Sequence, residues 1–297
     1  MTYLGIDIGG TKVALRVEGE GRTAAEHSVR WPGPPAAVGT DLAVLAAAVR
    51  ELRTGWDAPI TAVGIALPAT VAADGRVAAW PSRPTWSGLP VTATLAGLVP
   101  GARVRWADDG DLAALAEARA AGVPDAVYLG VGTGIGGGLV TAGRSTVESG
   151  RGSVEIGHMV IDRRGERCAC GRAGCLQSIA SGPATLARAA GGRGAAVSYE
   201  RLREGWLAAG EWAVDAITES CDALAAAAVS LNEVLHPDAV IVGGGFAAGL
   251  PGYVDLVRRR AEHWARPGHP PPAIRPALLA GLSSLHGAVH LARAATG

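Results

Sequence analysis

Leu4-Gly5-Ile6-Asp7-Ile8-Gly9-Gly10-Thr11-Lys12-Val13-Ala14-Leu15-Arg16-Val17 is the stretch from which the fold can be read. Apolar residues run up to Asp7 and resume with alternation after Lys12, the pattern of a β-hairpin closed by a glycine turn. A tight glycine turn lets backbone amides converge on an anion without obstruction. A threonine hydroxyl adds a donor, and a neighbouring carboxylate can hold magnesium. Alone, Gly9-Gly10-Thr11 is weak evidence, because hairpins also use glycine for steric reasons.

The same chemistry recurs in Val127-Tyr128-Leu129-Gly130-Val131-Gly132-Thr133-Gly134-Ile135, followed by Gly136-Gly137-Gly138-Leu139-Val140. A third glycine cluster, Gly243-Gly244-Gly245, ends a buried-strand pattern over Ala239–Val242. Two strand-turn-strand units read as an internal duplication of one phosphate-gripping element, and three glycine turns at strand ends can surround one nucleotide. G-x-x-x-x-G-K-[ST] does not occur, so this is not a P-loop, and the glycines of the second turn lie between two predicted strands and not at the start of a helix.

Between these turns the pattern predicts a helix over 41–53, a strand over 61–67 stopped by Pro68, and a loop over 72–90. A strand over 102–106 then leads into Asp108-Asp109-Gly110-Asp111 and an alanine-rich helix to about residue 121. Further helices are predicted over 183–190, 199–209 and 211–235, with a last one over 284–295. The 297 residues suit two domains. We place the first at 1–107, with a C-terminal helix over about 284–297 packing back on it, and the second at 108–283.

Composition narrows the function classes. The chain is 48% hydrophobic and 18% charged, which excludes a disordered protein. Lys plus Arg number 27 and Asp plus Glu 27, so a nucleic-acid partner is not expected. The charge-free run from Ala126 to Gly143 is too rich in glycine for a membrane helix, and no basic flank precedes an apolar stretch at the N-terminus. A cytoplasmic protein without membrane segments is therefore expected.

Three of the 4 cysteines crowd into Cys168-Ala169-Cys170-Gly171-Arg172-Ala173-Gly174-Cys175, downstream of Gly157-His158. One imidazole and three thiolates form a closed tetrahedral set of the kind that holds structural zinc. Cys221, in an alanine-rich helix, reads as a small buried hydrophobe.

These motifs together resemble the ROK family (repressors, open reading frames, kinases) of the actin/hexokinase/Hsp70 superfamily. The resemblance rests on Asp7-x-Gly-Gly-Thr-Lys12, Asp109 ahead of the helix that carries Glu117, Gly132-Thr-Gly-Ile-Gly-Gly-Gly138, and Glu155-Ile-Gly-His158. It continues through Cys168-x-Cys-Gly-x-x-Gly-Cys175-Leu, Pro237-Asp-x-Val-Ile-Val-Gly-Gly-Gly245 and Gly287-Ala-x-x-Leu-Ala292. It implies an α/β fold of two RNase-H-like lobes with an interlobe cleft, a homodimer, and ATP-dependent phosphorylation of a hexose on its 6-hydroxyl. Because the first turn begins at residue 7, no DNA-binding domain is expected ahead of it, which favours the kinase branch.

By the same resemblance, Asp109 is the catalytic carboxylate and Asp7 organises magnesium-bound phosphates. Gly9, Gly10, Thr11, Gly132, Thr133 and Gly134 hold the β- and γ-phosphates, Lys12 stands near ATP, and Gly244 and Gly245 form the adenosine-side turn. Glu155 and His158 contact sugar hydroxyls, and His158 also joins the zinc set with Cys168, Cys170 and Cys175. An aspartate here could simply cap the helix; Asp111 is the better cap candidate once Asp109 is given the catalytic role.

Several positions depart from the family pattern. Asp108 stands where Asn usually precedes the catalytic Asp, Gln177 where Glu is usual, Ser82 in place of an Asn, and Val154 and Ala69 in place of glycines. An ionised Asp only accepts hydrogen bonds, and two adjacent carboxylates repel. A cationic substrate relieves that repulsion. The substitution therefore points to an aminohexose with its ammonium near carbon 3, for which kanosamine (3-amino-3-deoxyglucose) is the best fit, with Asp108, Glu155, His158, Gln177 and Ser82 as its contacts. The alternatives are a glucokinase, an N-acylhexosamine kinase, or a non-catalytic sugar-sensing protein of the same fold.

Overall fold

The expected hairpin is present. In the computed structural model, which describes residues 1–33, 37–146 and 153–296, β1 (Thr2–Ile8) pairs antiparallel with β2 (Lys12–Gly19), with Asp7 opposite Ala14. β3 (Ala25–Arg30) adds to the outer edge and α1 (Val38–Thr54) follows. On the other side of β1 lie two parallel strands, β4 (Ala62–Ala66) and then, once β5 (Thr70–Val71), β6 (Val77–Ala79) and α2 (Val91–Ala96) have passed, β7 (Arg103–Ala107). The sheet order is β3-β2-β1-β4-β7. β4 is buried at every position, as a central strand covered on both faces must be. α3 (Asp109–Ala120) starts directly after β7.

The second sheet repeats the plan. β8 (Ala126–Val131) and β9 (Ile135–Thr141) form a hairpin, and β10 (Arg144–Ser145) lies at one edge. The chain then builds α4 (Leu176–Ala180), α5 (Gly182–Arg193), α6 (Tyr199–Leu207) and α7 (Glu211–Leu235). It returns through β11 (Ala239–Gly243), α8 (Gly245–Ala248), α9 (Tyr253–Trp264) and β12 (Ile274–Pro276). The order β10-β9-β8-β11-β12 places a hairpin beside two parallel strands, as in the first sheet. α7 buries mostly alanines, and its small face lets α4, α5 and α9 approach closely. Ser220 ties them together, donating to the Ala180 carbonyl at 3.1 Å and lying 2.6 Å from the Tyr253 hydroxyl. Cys221 is buried there, as its alanine-rich context suggests.

The last helix, α10 (Ser283–Ala294), returns to the first sheet. Gly5 and Gly64, register partners on β1 and β4, leave room for it: a Cβ on Gly64 would stand 1.9 Å from the Ala288 carbonyl oxygen. Gly287 repeats the device, since its Cβ would lie 2.1 Å from the Leu112 carbonyl of α3. α10 is thereby wedged between the sheet and the helix that begins at Asp109.

The chain divides into two compact units: one runs to Ala116 and resumes at Leu282, the other holds Glu117–Arg144 and Val154–Gly281. The boundary falls inside α3, so Asp108 and Asp109 belong to the first unit. Among the described residues no helix is long and apolar enough to cross a membrane. Sequence patterning left α2, α4, α9 and β12 unassigned. α2 hides behind Pro90, which occupies its N-cap position, and β12 is a 3-residue strand ending in proline.

Candidate functional site

In the first unit the parallel strands β1, β4 and β7 end together. Asp7, Ala66 and Ala107 form one row across the sheet, and carboxyl ends of parallel strands are where open α/β sheets receive ligands. Asp7 leads into the first glycine turn, closed by the Gly9 N–H donating to the Lys12 carbonyl at 2.9 Å. Thr11 and Lys12 are exposed at its tip. Ser82 sits against Gly10, where a Cβ would come 2.7 Å from its Oγ, so any larger residue at this step of the turn would force the Ser82 side chain to move.

Asp108 and Asp109 open α3. Asp108 Oδ1 accepts from the Gly110 N–H at 2.9 Å and more loosely from the Asp111 N–H at 3.4 Å. Asp108 is therefore the N-cap, and the expectation that Asp111 fills that role is corrected. The local rule allows any of the three acids, but Asp111 is buried inside the first turn, whereas Asp108 precedes it with its carboxylate folded over the free amides. Burial, then the charges of Asp109 and Asp111, push the Asp108 carboxyl up to about 8, against the pull of its two backbone donors. Asp7 is raised to about 7, first by burial and then by Asp109, with Lys12 opposing. Three carboxylates crowded at one sheet edge form a site prepared for positive charge.

The second unit carries the other turns. Gly132 donates to the Gly134 carbonyl at 2.9 Å and accepts from the Gly182 N–H, also at 2.9 Å, so the second turn abuts the start of α5. Thr133 is exposed between them. Gly244 has φ +88° and its Cβ would lie 2.4 Å from the Val131 backbone, which brings the third turn beside the second.

The sulfur cluster is assembled as expected. The ligand atoms of His158, Cys168, Cys170 and Cys175 all lie within 4.8 Å of one another. Cys170 and Cys175 Sγ are 3.7 Å apart, and Cys168 Sγ is 3.7 Å from His158 Nδ1. A tetrahedron with metal–sulfur bonds of about 2.3 Å has edges of roughly 3.7 Å, so the donors fit zinc in type and spacing. Although burial opposes it, hydrogen bonds from the Cys170 backbone, the Gln177 amide and the neighbouring thiols lower Cys168 to about 6. Burial and then the Cys170 and Cys168 thiols raise Cys175 to about 12. A ready thiolate at Cys168 beside a reluctant thiol at Cys175 is a situation that a divalent cation relieves.

His158 turns its other nitrogen, Nε2, toward Glu155 Oε2 at 3.8 Å. Gln177 bridges cluster and turn: its Nε2 donates to Cys168 Sγ at 3.4 Å, and its Oε1 lies 3.5 Å from the Ile135 N–H. Of the predicted sugar contacts, Gln177 therefore also braces the loop between the cysteine cluster and the second turn. Sequence analysis missed Trp31, whose indole N–H donates to the Gly9 carbonyl at 2.8 Å. It also missed the buried Arg83–Asp41 pair, with Nη1 to Oδ1 at 2.7 Å.

The ROK family model matches residues 3–295. The chain belongs to the ROK family. Among ROK relatives, the chain is 52% identical over 290 residues to a kanosamine kinase from Amycolatopsis mediterranei, covering 98% of this chain and 95% of that protein. It is 33% identical to an N-acetylmannosamine kinase from Vibrio vulnificus, over 82% of this chain and 83% of the relative. The crystal structure of a ROK family glucokinase from Streptomyces griseus, in complex with glucose and AMPPNP, matches with a TM-score of 0.85 and 27% identity. That match covers 99% of this chain and 100% of the other. The two-sheet α/β fold is accordingly that of the ROK hexokinases in the actin/hexokinase/Hsp70 superfamily.

Proposed function

We propose that this ROK protein is an ATP-dependent sugar kinase whose acceptor is kanosamine, phosphorylated on its 6-hydroxyl. The observation that carries the acceptor is Asp108. Its Oδ1 caps α3, Oδ2 remains for a substrate, and its carboxyl is held against ionisation by burial and then by the charge of Asp109. A sugar ammonium placed there supplies the positive charge that the pair lacks. The 52% identity to a kanosamine kinase along nearly the whole chain supports the same assignment.

In the reaction, Asp109 accepts the proton of the 6-hydroxyl while that oxygen bonds to the γ-phosphorus and the bond to the β-phosphate oxygen breaks, releasing ADP. Such transfers pass through loose transition states, so positioning and charge neutralisation outweigh the base. Gly9–Thr11 and Gly132–Gly134 offer amides and hydroxyls to the phosphates, Lys12 adds charge beside them, and Gly244 and Gly245 form the adenosine side. Asp7 is suited to magnesium, which when bound neutralises charge on the transferring phosphoryl group. Glu155 and His158 bind sugar hydroxyls. His158, Cys168, Cys170 and Cys175 would hold zinc, which would fix the loop that carries Glu155 and His158, with Gln177 bracing it.

The test is ADP release from the full chain with Mg-ATP and, in parallel, kanosamine, glucosamine, glucose or N-acetylmannosamine. Kanosamine is expected to give the highest kcat/KM. A higher value with glucose or the N-acylated sugar refutes the acceptor, and no ADP from any sugar refutes the kinase in favour of a sensor.

A further inference from the structure

Trp31 touches no expected ligand, yet its indole Nε1–H donates to the Gly9 carbonyl at 2.8 Å and its backbone N–H donates to the Thr11 carbonyl at 3.2 Å. The Gly9 carbonyl and the Gly10 N–H belong to one planar trans peptide and point in opposite directions. Fixing the carbonyl therefore fixes the direction of the Gly10 amide. The indole itself is clamped, because the Arg83 guanidinium lies over its ring at 4.0 Å.

Arg83 is 2% and Asp41 1% exposed. Arg83 Nη1 bonds Asp41 Oδ1 at 2.7 Å, and Asp41 Oδ2 accepts from Trp86 Nε1 at 2.8 Å. Trp80 meets Trp86 edge-on at 4.9 Å. A buried ion pair is weak evidence for stability, since well-packed apolar residues often serve as well. This one is also imperfect, because Arg83 Nε finds no hydrogen-bond partner among the described residues. Its geometric effect is clearer: Arg83 immobilises Trp31 from one side, while the adjoining Ser82 closes on Gly10 with Oγ 2.7 Å from where a Cβ would be.

We infer that Trp31, clamped by the Arg83–Asp41 pair, is a positioning residue that aims the Gly10 amide at the phosphates of the nucleotide. This rests on the reading of the first glycine turn as a phosphate grip. The test is calorimetric binding of Mg-ATP to the full chain without sugar, with adenosine as the phosphate-free probe. Trp31→Phe keeps an aromatic ring beneath Arg83 and removes the donor together with part of the indole's volume. It is expected to weaken Mg-ATP about tenfold, or about 1.4 kcal/mol, to leave adenosine binding and the sugar KM unchanged, and to raise the KM for ATP. Arg83→Lys keeps the charge but cannot stack as a plane, and should give a smaller loss in the same direction. The inference is overturned if both variants bind Mg-ATP within about twofold of wild type, a change too small to reflect a lost hydrogen bond, or if they lose ATP and adenosine equally. A wild-type chain that binds no Mg-ATP overturns the phosphate reading and this inference together. One that binds Mg-ATP but phosphorylates no sugar overturns the proposed function alone.

Discussion

Asp108→Asn separates the two jobs assigned to one side chain. The amide oxygen of Asn can still accept from the Gly110 N–H that Asp108 Oδ1 now holds at 2.9 Å, and Asn caps helices about as well as Asp. What disappears is the charge. A charge-assisted bond to a substrate ammonium contributes about 1.5–3 kcal/mol, so kcat/KM for kanosamine should fall roughly 10- to 150-fold while glucose changes little. The carboxyl stands near 8 in the folded chain against its ordinary value of 3.8. The folded state thus holds the proton more tightly; the contribution to stability is full below pH 3.8 and is lost as pH rises through about 8. Asn removes that loss, so the variant should equal wild type near pH 4 and exceed it at pH 8 by on the order of a few kcal/mol. In wild type the ammonium must displace the Asp108 proton, so the kanosamine-to-glucose ratio of kcat/KM should climb with pH toward the value near 8, as long as the amine itself stays protonated. The ratio cancels ionisations that serve both sugars, Asp7 included. In the variant it should be flat. Steady-state kinetics with both sugars, at several pH values, provides the measurement. A variant whose ratio matches wild type throughout removes the ammonium from this site.

Three further outcomes are expected. Asp109→Asn should lower kcat about 10²- to 10⁴-fold, the range for a lost general base, while calorimetry finds Mg-ATP binding intact; full turnover would dismiss Asp109 as base. Gly64→Ala drives a Cβ to within 1.9 Å of the Ala288 carbonyl oxygen, and urea unfolding should record a loss of about 3 kcal/mol, at the upper end for overpacking because backbone must move. Stripping metal with a chelator should lower Tm and kcat together, and acid should have the same effect as the cysteine ligands take up protons; metal analysis finding no zinc in the purified protein would contradict the assignment.

The parts of the molecule legible in the sequence are those whose signal is local. The hairpin around Asp7, the second turn at Gly132, and the spacing of Cys168, Cys170 and Cys175 each lie within one short stretch, and each folds as its spacing suggests. The zinc-compatible set needed one distant residue, His158, and the neighbouring Gly157 and Glu155 marked it. Choosing the cap among Asp108, Asp109 and Asp111 depends on which carboxylate bends over free amides, and sequence cannot tell three adjacent acids apart. The Trp31–Arg83–Asp41 assembly left no trace, because its members come from the end of a hairpin, a loop and a helix start. Aromatic residues in a proline-rich loop read as surface, yet Trp80 and Trp86 are 3% and 0% exposed. α9 escaped because its buried stripe, Tyr253, Val257 and Ala261, is narrow and surrounded by charge.

The glycine-lined seat of α10 bears on the order in which the chain can mature during synthesis. The first sheet is complete once β7 has been made, but its cover, α10, is translated only after the whole second unit. Until then the faces of Gly5 and Gly64 stay bare while the whole second unit is translated and free to condense. The later-made unit can therefore mature first, leaving a half-dressed amino-terminal sheet as the species that chaperones would meet.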